Sequence, residues 1–296
     1  MLAVAPLVFA SKSVGEEANP SPVSAQFNIF SAKDPAGEDD YWRGTDCKTA
    51  GNCSEAVKWY RKAADQGHSQ AQLCLAVCYY NGYGVEQDFA EAVKWIRKAA
   101  EQGHLRAQYI LGLCYVKGNG VEQDDAEAVK WFRKSAEQNH AQAQFVLGVC
   151  YIQGNGVGQD YVEAVKWLRK AAEQHNRQAQ FILGTCYASG RGVEQDDAEA
   201  AKWFRVAADN GHADAKFILG ECYARGKGVG QDYVEAAKWF SRAAAHGHAK
   251  AQFNLGVCYY RGYGVSQDRA EAEKWFRKAA EQGNEDARKA IKSLEQ

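Results

Sequence analysis

The feature that most constrains this chain is a sequence pattern that returns every 36 residues. The stretch 143–178 is repeated with small changes along most of the chain. One tryptophan and one cysteine mark each period, at Trp59, Trp95, Trp131, Trp167, Trp203, Trp239 and Trp275 and at Cys78, Cys114, Cys150, Cys186, Cys222 and Cys258. A period of this length is typical of a solenoid, in which each unit buries its apolar face against its neighbours.

Each period predicts two helices joined by a tight break. Apolar residues recur at i, i+4, i+7 and i+8 from Ala143, which is the spacing of one helix face. Gly154 and Gly156 then favour a break, because glycine adopts backbone angles that cost other residues energy. The second helix is predicted to begin at Asp160, and Glu163 three residues later indicates a capping box in which Glu163 reaches back to the helix start.

Small residues predict how the two helices meet. One glycine in each first helix would let the neighbouring helix approach closely, at Gly112, Gly148, Gly184, Gly220 and Gly256. We expect the tryptophan of the second helix to fill the space beside that glycine. Glycine also follows most second helices, where it forms a left-handed cap. Asn139 and His175 take its place in two units.

These residues carry a family resemblance. The run Leu111-Gly112-Leu113-Cys114-Tyr115, followed by Gly-x-Gly-Val and then Asp-x-x-Glu-Ala-x-Lys-Trp, resembles the Sel-one-like repeat family, a relative of the tetratricopeptide repeats. The match covers about residues 54–296. The resemblance implies an all-α fold, a right-handed α/α superhelical solenoid of 36-residue antiparallel helix pairs. It also implies a scaffold for protein partners, since the family is not defined by a catalytic centre.

The register of the repeat predicts how the chain is divided. We expect an N-terminal leader over residues 1–53, a half repeat over 54–69 and a capping helix over 286–296. Between them lie six complete repeats, at 70–105, 106–141, 142–177, 178–213, 214–249 and 250–285. A polar closing helix would keep the exposed end of the array soluble.

Two interpretations of the leader stay open. Residues 25–29 resemble residues 251–255, which favours a degenerate first helix that caps the array. Proline, serine and acidic residues favour the alternative, disorder over residues 1–40. The apolar run Leu2–Ala10 has features of a secretory signal, but no basic residue precedes it, and it is too short to span a bilayer.

The recurring cysteines and histidines are interpreted as structural. One cysteine per repeat places successive sulfur atoms about 8–10 Å apart, beyond disulfide reach, so free buried thiols are expected. Cys47 and Cys53 lie outside the regular array and could form a loop disulfide or half of a metal site. The histidines that follow the second helices could bond the terminal carbonyl groups, at His68, His104, His140, His212 and His248.

Composition and motifs argue against several classes of function. A net charge of −1 gives no long-range attraction for nucleic acid or an acidic membrane. The sequence contains no HExxH, no nucleophile elbow and no P-loop, and the repeated Asp and Glu pairs are interpreted as helix caps. We therefore predict a protein that is not an enzyme, with no cofactor, no metal, no nucleic-acid partner and no membrane insertion.

Candidate binding residues are those that vary between units and face away from the predicted core. At about 100° per residue, three positions of each first helix lie on one such face. By resemblance to tetratricopeptide superhelices, they would line the concave groove. This first-helix stripe comprises Gln70, Val77, Asn81, Arg106, Leu113, Lys117, Gln142, Val149, Gln153, Gln178, Thr185, Ser189, Asp214, Glu221, Arg225, Lys250, Val257 and Arg261. The alternative is that the residues of the stripe vary because this surface has no function.

These observations predict a monomeric interaction scaffold or adaptor that binds another protein, as a peptide or a helix laid along the groove. The alternative is an exported repeat protein with hydrolase activity on β-lactam or cell-wall compounds, an activity attributed to cysteine-rich relatives. No Ser-x-x-Lys constellation supports it. Buried thiols favour a cytoplasmic location, whereas the apolar leader permits an exported or periplasmic one.

Overall fold

The computed structural model describes residues 36–294, and these contain fifteen α-helices and no β-strand. The helices are α1 (Glu38–Thr49), α2 (Cys53–Asp65), α3 (Ser69–Asn81), α4 (Phe89–Glu101), α5 (Leu105–Lys117), α6 (Asp125–Glu137), α7 (Ala141–Gln153), α8 (Tyr161–Glu173), α9 (Arg177–Ser189), α10 (Asp197–Asp209), α11 (Ala213–Arg225), α12 (Tyr233–Ala244), α13 (Ala249–Arg261), α14 (Arg269–Glu281) and α15 (Glu285–Leu294).

Each helix packs on the next one along the chain. The odd-numbered helices α1 to α13 are the first helices of seven pairs, the even-numbered helices α2 to α14 are the second helices, and α15 closes the array. The prediction of an all-α solenoid of helix pairs is therefore confirmed for the part of the chain that the structure describes.

The described array begins earlier than the sequence predicted. Helix α1 packs on α2 and completes a pair where a half repeat was expected. Its Gly44 faces Tyr60, because a Cβ at Gly44 would lie 2.6 Å from that ring. The link from α1 to α2 spans only residues 50–52, whereas regular links such as 82–88 are longer. The expected helix at residues 25–29 and the apolar run at 2–10 lie outside the described residues.

The side chain that follows the tryptophan fills the space beside the first-helix glycine, which corrects the prediction. A Cβ at Gly148 would lie 2.7 Å from Leu168, and one at Gly220 would lie 2.6 Å from Phe240. The tryptophan packs instead between its own first helix and the preceding pair. Trp239 shares a buried cluster with Ala207, Ala208, Ala215 and Leu219. Tryptophan therefore joins neighbouring units, and the Leu or Phe after it closes its own pair.

The start of each second helix also differs from the predicted capping box. Asp160 accepts from the backbone N–H of Glu163 at 3.0 Å, as expected. Glu163 does not reach back, because the Asp160 N–H already donates to the Tyr151 carbonyl at 3.0 Å. The Glu163 carboxylate accepts instead from Trp167 Nε1 at 3.0 Å and from Lys166 Nζ at 2.9 Å. The same indole bond forms at Trp95 and Trp131, whereas the indole N–H groups of Trp203, Trp239 and Trp275 have no hydrogen-bond partner among the described residues.

The two glycines of each connecting loop have different roles. Gly154 and Gly156 both have left-handed backbone angles, with φ of 75° and 68°. A Cβ at Gly154 would meet nothing closer than 3.5 Å. A Cβ at Gly156 would lie 2.0 Å from the backbone oxygen of Asp125, in the preceding pair. The second glycine therefore lets the backbones of adjacent pairs meet.

Candidate functional site

The first-helix stripe is exposed at its last position in every unit. These residues lie at the C-terminal end of each first helix, at Asn81, Lys117, Gln153, Ser189, Arg225 and Arg261. The first position of the stripe, which we call its head, lies near the N-terminal end of each first helix. It is exposed at Arg106, Gln142, Gln178, Asp214 and Lys250 and half-buried at Gln70. These two positions supply most of the accessible surface of the stripe.

The middle position of the stripe is largely part of the packing between units. Val149 exposes only 6% of its surface and belongs to the largest buried cluster. It was predicted as a binding residue, and its burial corrects that assignment, because a partner could reach little of its side chain. Leu113, Thr185, Glu221 and Val257 are half-buried. Val77 is the exception, with 37% of its surface exposed.

Polar groups along the stripe are partly engaged within their own helices. Asn81 donates to the Val77 carbonyl at 2.9 Å. Arg225 pairs with Glu221 at 3.2 Å, so these two charges of the stripe neutralise each other. Lys117 forms no ion pair with any residue between 36 and 294. The surface of the stripe therefore mixes amide and cationic groups, and an isolated cation stands in α5.

Four of the five histidines that follow the second helices accept a capping bond from the next first helix, which corrects their predicted role as partners of terminal carbonyl groups; His140 instead lies 3.1 Å from Ser135 Oγ. His68 Nδ1 accepts from the Ala71 backbone N–H at 3.1 Å. The same bond forms at His104, His212 and His248. Asn176 replaces histidine in α9, and its Oδ1 accepts from Ala179 at 3.0 Å. A ring nitrogen that accepts a hydrogen bond must be unprotonated, so the cap requires a neutral imidazole.

At three caps the other side of the side chain contacts the first stripe residue of the preceding unit. His104 Nε2 lies 2.8 Å from Gln70 Oε1. His248 Nε2 lies 3.3 Å from Asp214 Oδ1. Asn176 donates to Gln142 Oε1 at 3.1 Å. Several heads of the stripe are therefore tied into the junction between units.

Burial keeps these caps neutral. It lowers the pKa of four of the imidazoles, His104, His140, His212 and His248. Arg106 lowers the pKa of His104 and His140 further, whereas Asp214 opposes the effect of burial on the pKa of His212 and His248. The direction of these pKa shifts agrees with the acceptor role of the imidazole.

A ladder of buried amides runs along the junctions, and the sequence analysis did not identify it. Gln144 Nε2 donates to the Ala136 carbonyl at 3.1 Å, and its Oε1 accepts from Gln174 Nε2 at 2.7 Å. The same two bonds form at Gln72, Gln108 and Gln252. At Gln180 the second donor is Asn210. A fixed spacing of 30 residues between the paired amides could have revealed this ladder.

The recurring thiols are free and buried, as expected. Burial raises the pKa of Cys150 to about 12 and that of Cys78, Cys114, Cys186, Cys222 and Cys258 to about 11. Thiols with such pKa values are protonated at neutral pH and are poor nucleophiles. Cys47 and Cys53 are also free.

Between residues 36 and 294, no group of three or more His, Cys, Asp or Glu side chains is placed to hold a metal ion. The helices of this range are all too short or too polar to span a membrane.

A known family model matches this chain once in each helix pair. The family model described as "Sel1 repeat" matches residues 36–68, 69–104, 105–140, 141–176, 177–212, 213–248 and 249–284. A comparison with curated proteins gives no match.

Two solved structures are similar over most of the chain. The protective antigen c5321 of uropathogenic Escherichia coli, which displays an SLR fold, is 40% identical with a TM-score of 0.84, over 88% of this chain and 57% of that one. This chain therefore spans little more than half of that protein. A Sel1 repeat protein from Oxalobacter formigenes is 34% identical with a TM-score of 0.68, over 81% of this chain and 96% of that one.

Proposed function

Because this chain belongs to the Sel1 repeat family, we propose that it is a non-catalytic scaffold that binds a protein partner along its first-helix stripe. The family is a solenoid of stacked helix pairs, and such arrays present extended surfaces to their partners. The bound element would be an extended peptide or a helix, since both can follow a surface that repeats from unit to unit.

The observation that carries this proposal is the contrast within the first helices. The positions that recur from unit to unit are buried or hydrogen-bonded, whereas the last position of the stripe is exposed in every unit and changes its chemistry from Asn81 to Arg261. In a repeat protein, exposed positions that differ between otherwise similar units can give the surface its selectivity for a partner.

The alternative of a hydrolase has no comparable support. The six recurring thiols are protonated by burial, and the recurring carboxylates are occupied as helix caps and as indole or lysine partners. Ser135 Oγ lies 3.1 Å from His140 Nδ1, but this serine is fully buried and its hydroxyl donates to the Leu105 carbonyl at 2.8 Å, so it is not available as a nucleophile.

The test is a crosslinking pull-down from a lysate of the source cells, quantified by mass spectrometry. One variant carries Lys117→Glu and Gln153→Glu, both exposed on the stripe. A matched control carries Glu137→Lys and Glu173→Lys, exposed on the second helices α6 and α8. We expect a protein that the parent and the control capture and the stripe variant loses by at least tenfold, with unchanged circular dichroism. Equal capture by all three would move the binding surface away from the stripe.

A further inference from the structure

One junction of the buried amide ladder carries a different chemistry from the rest. At five junctions a buried glutamine meets an amide that lies 30 residues later. At the junction of α10, α11 and α12 these two positions are Lys216 and His246. Both amides are thus replaced at once, and the hydrogen bond between them is lost.

A third substitution removes the neighbouring acid. The last residue of every other second helix is acidic, at Asp65, Glu101, Glu137, Glu173, Asp209 and Glu281. The equivalent position in the repeat at this junction is Ala245, the C-cap of α12. In α2 and α4, the equivalent positions line a surface depression of about 430 Å³ together with Gln72 and Lys98. The same depression at the exceptional junction would therefore be lined by Lys216, Arg242, Ala245 and His246 with Asp209.

These changes reverse the local charge. The depression between α2 and α4 has two carboxylates, Asp65 and Glu101, against one cation, Lys98. At the exceptional junction only Asp209 is acidic, against the cations Lys216 and Arg242, and His246 adds a further charge when it is protonated. Substitution of three facing positions at one junction concentrates positive charge where the other junctions are neutral or acidic.

Lys216 shows that this charge is not compensated within the described chain. It exposes only 8% of its surface, and it forms no hydrogen bond or ion pair with any residue from 36 to 294. Arg242 lies over the Trp239 ring, 4.5 Å from its centroid, and has no carboxylate partner in the same range. The side-chain stem of Lys216 is buried while its ammonium nitrogen stays accessible, so an anion can reach this unpaired charge and neutralise it.

The structure's own repeats argue against a merely structural lysine. A cation at a helix C-terminus is favoured by the helix dipole. At the other junctions, however, the equivalent position is a glutamine that forms two hydrogen bonds, at Gln72, Gln108, Gln144, Gln180 and Gln252. Lys216 forms neither bond, and its ammonium nitrogen is accessible. His246, which turns its Nδ1 to the Arg242 carbonyl at 2.8 Å, is exposed beside it.

We propose that Lys216, Arg242 and His246 form a binding site for an oxyanion, a phosphate or carboxylate group, at the junction of α10, α11 and α12. The ammonium group would bind it as a point charge, and the guanidinium group could donate two parallel hydrogen bonds. This site is separate from the first-helix stripe, so its failure leaves the proposed scaffold function untouched.

The test is a titration of the ¹⁵N-labelled full chain followed by amide chemical shifts. Inorganic phosphate and acetate are added separately, with sodium chloride adjusted to hold ionic strength constant. We expect saturable shifts of Gly211, Ala245 and Gly247, and none at the equivalent Gly67 and Gly103. Saturation by phosphate alone would identify a phosphate site, and saturation by both anions a general oxyanion site. Saturation by neither would overturn the proposal.

The matched variant restores the ladder with Lys216→Gln and His246→Gln. We expect anion binding to weaken at least tenfold while the melting temperature stays equal or rises, because the two amides can again bond each other. Unchanged anion binding in this variant would also overturn the proposal. A second variant, Gln144→Ala, reports the effect of breaking the ladder elsewhere and should leave anion binding intact.

Discussion

Asn139 and His175 occupy equivalent positions after their second helices, and each has a left-handed backbone, with φ of 67° and 63°. Asn139 compensates for this conformation, because its Oδ1 accepts from Gln144 and Gln174 at 3.1 and 3.0 Å. His175 is exposed and makes no side-chain hydrogen bond within the described range. The same backbone strain is therefore offset at one position and left uncompensated at the other.

We expect His175→Gly to raise the free energy of unfolding by about 0.5–1 kcal/mol, since glycine adopts the left-handed conformation without steric cost. The matched change Asn139→Gly should be neutral or destabilising by about 1 kcal/mol, because it removes two hydrogen bonds. Urea unfolding of both variants measures the difference. Stabilisation of equal size by both changes would show that the bonds of Asn139 contribute nothing.

At the same scale, the sequence predicted the left-handed positions but not the role of the acidic cap partner. The pattern Asp-x-x-Glu is compatible with a reciprocal capping box, and Glu163 has an indole and a lysine within reach as well. Which partner wins depends on whether the N–H of Asp160 is free, and that N–H is taken by Tyr151 of the preceding helix. A tertiary contact thus decides a local choice that the pattern leaves open.

The loop between the first and second helix of each pair also contacts the preceding pair. Gly154 and Gly156 have the same backbone conformation, but only Gly156 touches the preceding pair, where a Cβ would lie 2.0 Å from the Asp125 oxygen. The contact recurs at Gly120, Gly192, Gly228 and Gly264, each against a backbone oxygen of the preceding second helix. The absence of a side chain at the second glycine of each loop therefore allows the close spacing of adjacent units.

We expect Gly154→Ala to cost about 1 kcal/mol, which is the penalty for a side chain in the left-handed region. Gly156→Ala should cost about 3 kcal/mol or more, because the added Cβ also forces adjacent backbones apart. Thermal and urea unfolding of the two variants provide the comparison. Equal destabilisation would contradict the close approach of neighbouring pairs at this glycine.

First helices begin at caps that respond to pH. Burial holds the pKa of His104, His140, His212 and His248 below the usual value, which is about 6.5 in an unfolded chain. Below that pH the unfolded chain binds more protons than the folded chain, so the free energy of unfolding falls as the pH drops. The stabilisation is complete above about pH 6.5 and is lost towards the lower, folded pKa values.

We therefore expect the urea midpoint of unfolding to decrease between pH 7.5 and pH 5.5. The triple variant His104→Asn, His212→Asn and His248→Asn should lose less stability over this range, because Asn176 already serves as a cap of this kind and does not titrate. The sign follows from the lowered pKa values. An equal loss in parent and variant would assign the pH dependence to other groups.

For the whole molecule, the 36-residue period was sufficient to predict an all-α solenoid, because regular spacing of apolar and small residues leaves one way to bury them. The sequence analysis did not recognise α1 as a first helix, because its residues are out of register with the 36-residue period. Tyr41 and Gly44 correspond to Tyr109 and Gly112, but the interval is four residues shorter than two periods. The shorter link between α1 and α2 produces that offset.

The candidate site was less predictable than the fold. A helical wheel treats each helix as isolated, so it placed Val149 on a free face, whereas the neighbouring units bury it. Asn81 and Gln153 are exposed, as the wheel placed them, because they lie at the helix terminus, where packing between units ends; their role in binding stays a prediction. The chemistry of the junctions required knowledge of which helices face each other.

The most direct test of the scaffold function is photocrosslinking in source cells with a benzophenone amino acid at single positions. It would be placed at Asn81, Gln153 and Arg225 on the stripe and, as controls, at Lys94 and Lys166 on the second helices, all of them exposed. We predict that the three stripe positions give adducts with one common protein and that the two controls do not. Adducts of equal yield from both sets, or from the second helices alone, would contradict a partner bound along the stripe.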